Sequence, residues 1–153
     1  YYYASIVCLV NEGSKYESAQ GISDLKGAVC TSQQNTVWYD VCLPQIEDAN
    51  ILPAQESAPA MLVALSAGRV DLICTDMPTA QAALVAYPSF RLLDFTESND
   101  NFVVSQEEIN IGISVSKNNP ELTAAINEVL ATLTVDDYNK MMDEAISVQP
   151  LSN

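Results

Sequence analysis

Short apolar runs alternate with helix-like segments between residues 22 and 95, after a first apolar run near the start of the chain. The runs that favour strands cover residues 4–10, 28–32, 51–52, 70–75 and 90–95. The segments that favour helices cover residues 23–27, 37–43, 57–67 and 79–86, with Gly27 and Gly68 placed where a helix ends on a left-handed residue. Strands that alternate with helices form a mostly parallel sheet with helices on both faces, so the pattern predicts an α/β fold.

The last forty residues have a different pattern. Residues 110–115 alternate and predict one more strand, and Asn119-Pro120-Glu121 is typical of a helix start. The helix after it has an apolar face formed by Leu122, Ile126, Val129, Leu130 and Leu133. A second helix, over about residues 135–146, has a similar face formed by Tyr138, Met141, Met142, Ala145 and Ile146.

Composition excludes several classes of function. The 153 residues have a net charge of −14, which excludes the basic surface that nucleic acids require. The chain has no histidine, so Ser-His-Asp and Cys-His catalysis are excluded and the commonest zinc ligand is missing. We predict no cofactor and no metal site. No apolar run approaches the length of a membrane span.

The four cysteines are Cys8, Cys30, Cys42 and Cys74, and none of them forms a Cys-x-x-Cys pair. Cys8, Cys30 and Cys74 lie in apolar, strand-like runs, where a thiol packs as a small hydrophobic group. An even number of cysteines leaves a disulfide open in an extracellular protein, and sequence alone does not decide between these states.

Asp76 is the first candidate binding residue. It follows the buried run Val70–Cys74 and precedes Pro78, so it lies at the carboxyl end of a strand, where open α/β sheets bind ligands. A carboxylate there suits a ligand ammonium group. The alternative is that Asp76 only caps the next helix.

The second candidate is the segment Thr31–Val37, which joins a strand to a helix. The free N–H groups of a helix start favour an anion, and Gln33 and Thr36 could add directed hydrogen bonds. Asn35 could hold a left-handed backbone conformation. The alternative is plain capping by Thr36. An anion site and a carboxylate at one sheet edge together suit a zwitterion such as a free α-amino acid.

These pieces resemble, in order and spacing, the second half of a bacterial solute-binding protein of the polar amino-acid ABC transporter family. The matching segments are residues 1–10, 22–27, 32–36, 67–78, 111–122 and 137–140. The resemblance implies a lobe of the type II periplasmic-binding-protein fold. Residues 1–115 would form lobe two, with hinge strands at about 1–10 and 109–115. Residues 116–153 would form C-terminal helices that pack on lobe one, most of which is absent.

The resemblance also implies roles for single residues. Thr36 and nearby N–H groups would bind the ligand α-carboxylate, and Asp76 would accept hydrogen bonds from the α-ammonium. Gln33 would face the cleft, and so would Tyr3 near the hinge. Asn35 stands where the family usually has glycine. Neither Arg69 nor Arg91 matches the arginine that lobe one supplies, so the chain would hold half of a binding site.

The expected function is therefore to capture an extracellular or periplasmic amino acid for the membrane permease of an ABC transporter. We expect a protein that is not an enzyme and that is anchored to the membrane through the longer protein of which this chain is a part. The start at Tyr1-Tyr2-Tyr3 is expected to be a cut within a larger protein. A sensor domain of a signalling protein and, less favoured, a dehydratase of the same fold are the alternatives. Without lobe one, we expect the apolar face of the Leu122 helix either to fold back onto lobe two or to pair with a second copy in a homodimer.

Overall fold

Seven strands and five helices make up the part of the chain that the computed structural model describes, residues 1–148. The strands are β1 Tyr2–Tyr3, β2 Ile6–Asn11, β3 Val29–Thr31, β4 Asn50–Ile51, β5 Leu72–Asp76, β6 Phe90–Asp94 and β7 Asn110–Ile111. The helices are α1 Ala58–Ser66, α2 Met77–Ala86, α3 Gln106–Ile109, α4 Pro120–Leu130 and α5 Val135–Val148. Short helical turns cover Ile22–Leu25 and Leu43–Gln45, and a π-helical segment covers Trp38–Cys42.

The main sheet has five strands in the order β4-β3-β5-β2-β6. β3 is parallel to β4 and to β5, whereas β2 is antiparallel to both β5 and β6. All strands of this sheet except β2 therefore point the same way, and the predicted mostly parallel α/β sheet is confirmed. β2 inserts in the opposite direction between β5 and β6, a feature that the strand pattern did not reveal.

The two faces of the sheet carry separate hydrophobic cores. One core packs Val7, Leu9 and Ile73 against α1 and α2 through residues such as Met61 and Ala80. The other core packs the alternate residues of the same strands against the short helical segments and the loop after β6, with Leu25, Leu43 and Phe95 among its members. Helices thus cover both faces, although on the second face they are only short turns.

Local signals explain most helix ends. Ser57 caps α1 by accepting the N–H of Ala60, and Gly68 ends it with φ +66°, as the sequence predicted. The short helix α3 was not predicted, although a sequence signal for it exists. Ser105 and Glu108 form a capping box in which each side chain bonds the other residue's backbone N–H.

The two segments expected to be hinge strands lie side by side. β1 and β7 pair antiparallel, with Tyr2 opposite Ile111 and Tyr3 opposite Asn110, and they form a separate two-stranded ribbon. The strand predicted over residues 110–115 shortens to two residues, because its partner β1 is only two residues long. The hinge role and the division at residue 115 remain predictions, and residues 149–153 of the C-terminal range lie outside the described residues.

The apolar face of α4 stays largely uncovered in the described part of the chain. No residue of α4 is buried, and Leu122 and Val129 are 46% and 62% exposed. Ile126, Leu130 and Leu133 line an open groove opposite Ile113 and Val115. The fold-back alternative is therefore not seen for this helix within residues 1–148, where the groove covers its apolar face only in part. Among the helices of residues 1–148, none is long and apolar enough to cross a membrane.

Candidate functional site

The parallel pairing of β3 with β5 places the ends of both strands at one edge of the sheet. Cys30 lies opposite Leu72, and Thr31 lies opposite Ile73, so the loop after Thr31 emerges beside the end of β5. The buried hydroxyl of Ser32 donates a 2.6 Å hydrogen bond to the carbonyl of Cys74 and fixes the loop to β5. The two predicted binding segments therefore share one edge.

Asp76 is both the last residue of β5 and the N-cap of α2. One carboxylate oxygen, Oδ1, accepts the N–H of Thr79 at 2.8 Å, and Oδ2 accepts the hydroxyl of Thr79 at 3.0 Å. The capping alternative is thus correct as a description of the structure. A carboxylate has about four acceptor positions, so these two bonds leave capacity for a ligand N–H. The side chain is only half-buried, which keeps it accessible.

The loop after β3 is held in the conformation that the sequence suggested. Asn35 has φ 58°, in the left-handed region where glycine is commoner. Gln33 forms an isolated parallel bridge with Gln55, and the N–H of Gln34 donates to the carbonyl of Gln55 at 2.9 Å. These contacts anchor the loop on the β4 side, while Ser32 anchors it on the β5 side.

Thr36 begins the helical segment that follows this loop. Its hydroxyl donates to the carbonyl of Gln33 at 2.7 Å and accepts the N–H of Tyr39 at 3.4 Å. The single hydroxyl proton of Thr36 is therefore already used in a hydrogen bond. Because the first N–H groups of a helix have no acceptor within the helix, backbone donors rather than this hydroxyl are the groups free to meet an anion.

A cavity of about 400 Å³ opens beside Asp76. Rings of Tyr1, Tyr2 and Tyr138 cluster at it, with the Tyr138 centroid 5.9 Å from that of Tyr1 and 6.2 Å from that of Tyr2. Helix α5 closes one side. The lining residues are Tyr1, Tyr2, Ala4, Trp38, Asp76, Pro78, Ile111, Tyr138, Met141, Met142 and Ala145. An aromatic and apolar wall around one carboxylate suits an organic cation.

Tyr2 reports on the electrostatics of this cavity. Partial burial raises the pKa of its phenol, and the nearby carboxylate of Asp76 raises it further, since ionising Tyr2 would place two negative charges together. Tyr3 is 54% exposed, and in the described chain it is Tyr1 and Tyr2 that line the cavity.

The structure thus brings Asp76 and the loop with Gln33, Asn35 and Thr36 to one edge, and leaves Tyr3 outside the cavity. Sequence reasoning missed Trp38, which lies two residues after Thr36 and is the only tryptophan of the chain. It also missed that α5 closes the cavity. Tyr138, Met141, Met142 and Ala145 were predicted to share one face of this helix, and that face is the one that meets the cavity.

Comparison with solved structures identifies the architecture. One similar chain is the substrate-binding protein of an amino acid ABC transporter, with 23% identity over 94% of this chain and 59% of that chain and a TM-score of 0.64. Another is an amino acid ABC transporter substrate-binding protein from Streptococcus pneumoniae bound to L-arginine, with 19% identity, 97% and 59% coverage, and a TM-score of 0.74. The fold is that of type II periplasmic binding proteins.

A third chain with the periplasmic-binding-protein fold is truncated ArgBP from T. maritima in its arginine-bound form, with 24% identity, 88% and 57% coverage, and a TM-score of 0.65. These neighbours are binding proteins rather than enzymes. The chain spans slightly less than three fifths of the length of each, 57% to 59%. No protein-family model matches the sequence, and no curated protein does.

Replacing Asp76 with Asn tests the electrostatic contact in the cavity. We expect the pKa of Tyr2 to fall, because the nearby negative charge is removed, but to stay above its ordinary value, because burial is the larger cause. The measurement is a pH titration of ¹³C-labelled tyrosine by NMR. Asp24→Asn is the control, since the Asp24 carboxylate accepts the N–H of Gln20 at the turn before β3 and its loss should leave Tyr2 unchanged. An unaltered Tyr2 titration in Asp76→Asn would contradict the contact.

Proposed function

We propose that the chain is part of a substrate-binding protein that captures a free amino acid and delivers it to the membrane permease of an ABC transporter. The observation that carries this proposal is the shared sheet edge, where the Asp76 carboxylate and the helix start after Asn35 follow neighbouring parallel strands. A zwitterion presents one charge to each of these groups. The solved structures bound to L-arginine support an amino acid as the ligand class.

In this proposal Asp76 binds the ligand α-ammonium. Thr79 holds both carboxylate oxygens from one side, so the carboxylate has a fixed orientation before the ligand arrives. A group that is already oriented loses less entropy on binding. The helix cap and the ligand contact are therefore two uses of the same side chain.

The α-carboxylate of the ligand meets the loop after β3. The left-handed conformation of Asn35 followed by helical residues turns successive N–H groups toward one point, which is the geometry of an anion-binding nest. Thr36 acts mainly through its backbone, because its hydroxyl proton is bonded to Gln33. Gln33 is half-buried next to this loop and reaches toward the ligand side chain. Tyr3 lies in β1 beside β7, and its contact with the ligand stays a prediction.

The chain supplies half of the ligand cleft. Residues 1–115 act as lobe two, the paired segments β1 and β7 act as hinge strands, and the missing lobe supplies the opposing wall. Closure of the two lobes around the ligand then stabilises the closed state by a population shift. Such capture involves no covalent chemistry. We place the protein outside the cytoplasmic membrane, extracellular or periplasmic, held there through the parent protein as a lipoprotein or a permease fusion.

The exposed face of α4 needs a covering surface. Val129, Leu122 and the groove residues Ile126, Leu130 and Leu133 form an apolar strip along α4 and the turn after it. Exposed strips of this kind favour association. We propose that, in the isolated chain, this strip pairs with the same strip of a second copy, since a self-complementary face generates a twofold dimer.

Calorimetry tests the role of Asp76. The full-length protein that carries this chain is titrated with each of the twenty amino acids, and the tightest ligand is then titrated into Asp76→Asn. We expect a loss of at least about 2 kcal/mol, roughly 30-fold in Kd, because a buried ammonium loses its charged partner. Asp24→Asn is the matched control and should keep the wild-type Kd. Equal affinities for Asp76→Asn and wild type would reject the proposed role.

Analytical ultracentrifugation tests the dimer. The isolated chain should sediment as a dimer whose dissociation follows protein concentration, and Val129→Lys should sediment as a monomer, because it places a charge in the contact. Val85→Lys is the matched control, since Val85 is equally exposed at 62% but lies on α2. A wild-type chain that stays monomeric at high concentration would exclude the homodimer.

A further inference from the structure

All four cysteines of the chain meet in one hydrophobic core. Cys8 comes from β2, Cys30 from β3, Cys42 from the π-helical segment and Cys74 from β5, and each side chain is fully buried. The three strand cysteines lie on the same face of the sheet. The short helical segments cover this face, and one of them carries Cys42. Within residues 1–148 no group of three or more such side chains is arranged to hold a metal ion, so metal binding does not explain the convergence.

Cys8 and Cys74 are directly opposite each other on neighbouring antiparallel strands. The hydrogen bond from Met77 N–H to the Ser5 carbonyl makes Ser5 and Met77 a hydrogen-bonded pair. Hydrogen-bonded and non-hydrogen-bonded pairs alternate along an antiparallel ladder. Cys8 lies three residues after Ser5, so Cys8 and Cys74 form a non-hydrogen-bonded pair. The hydrogen bond from Glu12 N–H to the Ser89 carbonyl supports this assignment. It indicates that the backbone groups of even-numbered β2 residues, Cys8 among them, bond to β6 rather than to β5.

A non-hydrogen-bonded pair has the closer approach of the two kinds. Its Cα atoms are about 4.5 Å apart and its side chains lie on the same face. Disulfides require Cα atoms about 4.4 to 6.8 Å apart, with side chains directed toward each other. The register therefore gives this pair the separation that a disulfide needs without movement of either strand.

Burial controls when such a bond could form. Burial raises the pKa of the Cys74 thiol well above its ordinary value, and the adjacent thiols of Cys42 and Cys8 raise it further. Burial likewise raises the pKa of Cys30 to about 12. Because the thiolate is the reactive form, these thiols are poor nucleophiles once the core has closed. Oxidation must therefore occur while the strands are still accessible, and a bond formed then is protected afterwards.

We propose that Cys8 and Cys74 form a disulfide during folding, with a small-molecule disulfide as the oxidant. The Cys74 or Cys8 thiolate attacks the small disulfide and releases one small thiol, and the other cysteine then attacks the mixed disulfide and releases the second. One S–S bond forms in the protein and one breaks in the oxidant, which takes up two electrons and two protons. The proposal is independent of the proposed function.

This bond would join the two central strands β2 and β5 and close a loop of about 65 residues. Crosslinks stabilise a fold largely by restricting the unfolded chain, and long loops give the larger effect. We expect the midpoint of thermal unfolding of the oxidised chain to exceed that of the reduced chain by about 5 to 15 °C.

Peptide mapping tests the pairing directly. The 153-residue chain is reduced, unfolded and refolded with excess glutathione disulfide, then alkylated in denaturant and digested with trypsin. The lysines and arginines separate the cysteines into peptides 1–15, 27–69 and 70–91, with Cys8 alone in the first and Cys74 alone in the last. We expect a disulfide-linked species of peptides 1–15 and 70–91, and two alkylated thiols in peptide 27–69.

Matched variants keep the result specific. Cys30→Ala and Cys42→Ala should retain the linked species, and Cys74→Ala should lose it. If Cys74→Ala fails to fold, the wild-type map alone remains decisive. Four alkylated thiols after oxidative refolding would overturn the proposal, and so would a link between peptide 27–69 and either of the other two. An unfolding midpoint that is the same in the oxidised and reduced chains would contradict the stabilisation expected from the crosslink.

Discussion

The parallel pairing of β3 with β5 is the constraint on which the candidate site depends. Parallel neighbours end at the same edge of a sheet, so the segments that follow them emerge side by side. The Ser32 hydroxyl, bonded to the Cys74 carbonyl within the core, ties the first of these segments to the strand that carries Asp76. If β3 and β5 were antiparallel, the loop with Asn35 and the Asp76 carboxylate would lie at opposite edges of the sheet.

The residues of this edge serve the fold and the proposed function at once. Asp76 caps α2 and in doing so presents a fixed carboxylate to the cavity. Asn35 has a left-handed backbone conformation just before a helical segment, and in the proposed function this conformation directs successive N–H groups at the ligand carboxylate. Capping and binding are therefore not competing explanations for Asp76, because its carboxylate still has unused hydrogen-bonding capacity.

Sequence patterns predicted those features that depend on neighbours along the chain. The run from Gly68 to Asp76 predicted a helix end and a buried strand, and Asn119-Pro120 predicted the start of α4; both are confirmed. The direction of β2 was out of reach, because an apolar run has the same pattern in either direction. The contact of α5 with the cavity was also out of reach, because the packing partner of a helix face is not encoded in its periodicity. By contrast, the capping-box pair Ser105 and Glu108 is visible in the sequence and would have predicted the start of α3.

Amide chemical shifts of the ¹⁵N-labelled full-length protein test the central claim most directly, with L-arginine and then each other standard amino acid as the probe. The account predicts that the best ligand shifts the amides of residues 34–38 and of residues 76–79 together, along one binding curve, because the two segments grip opposite ends of one molecule. A ligand that saturates while only one of these segments responds, or while neither does, would contradict it.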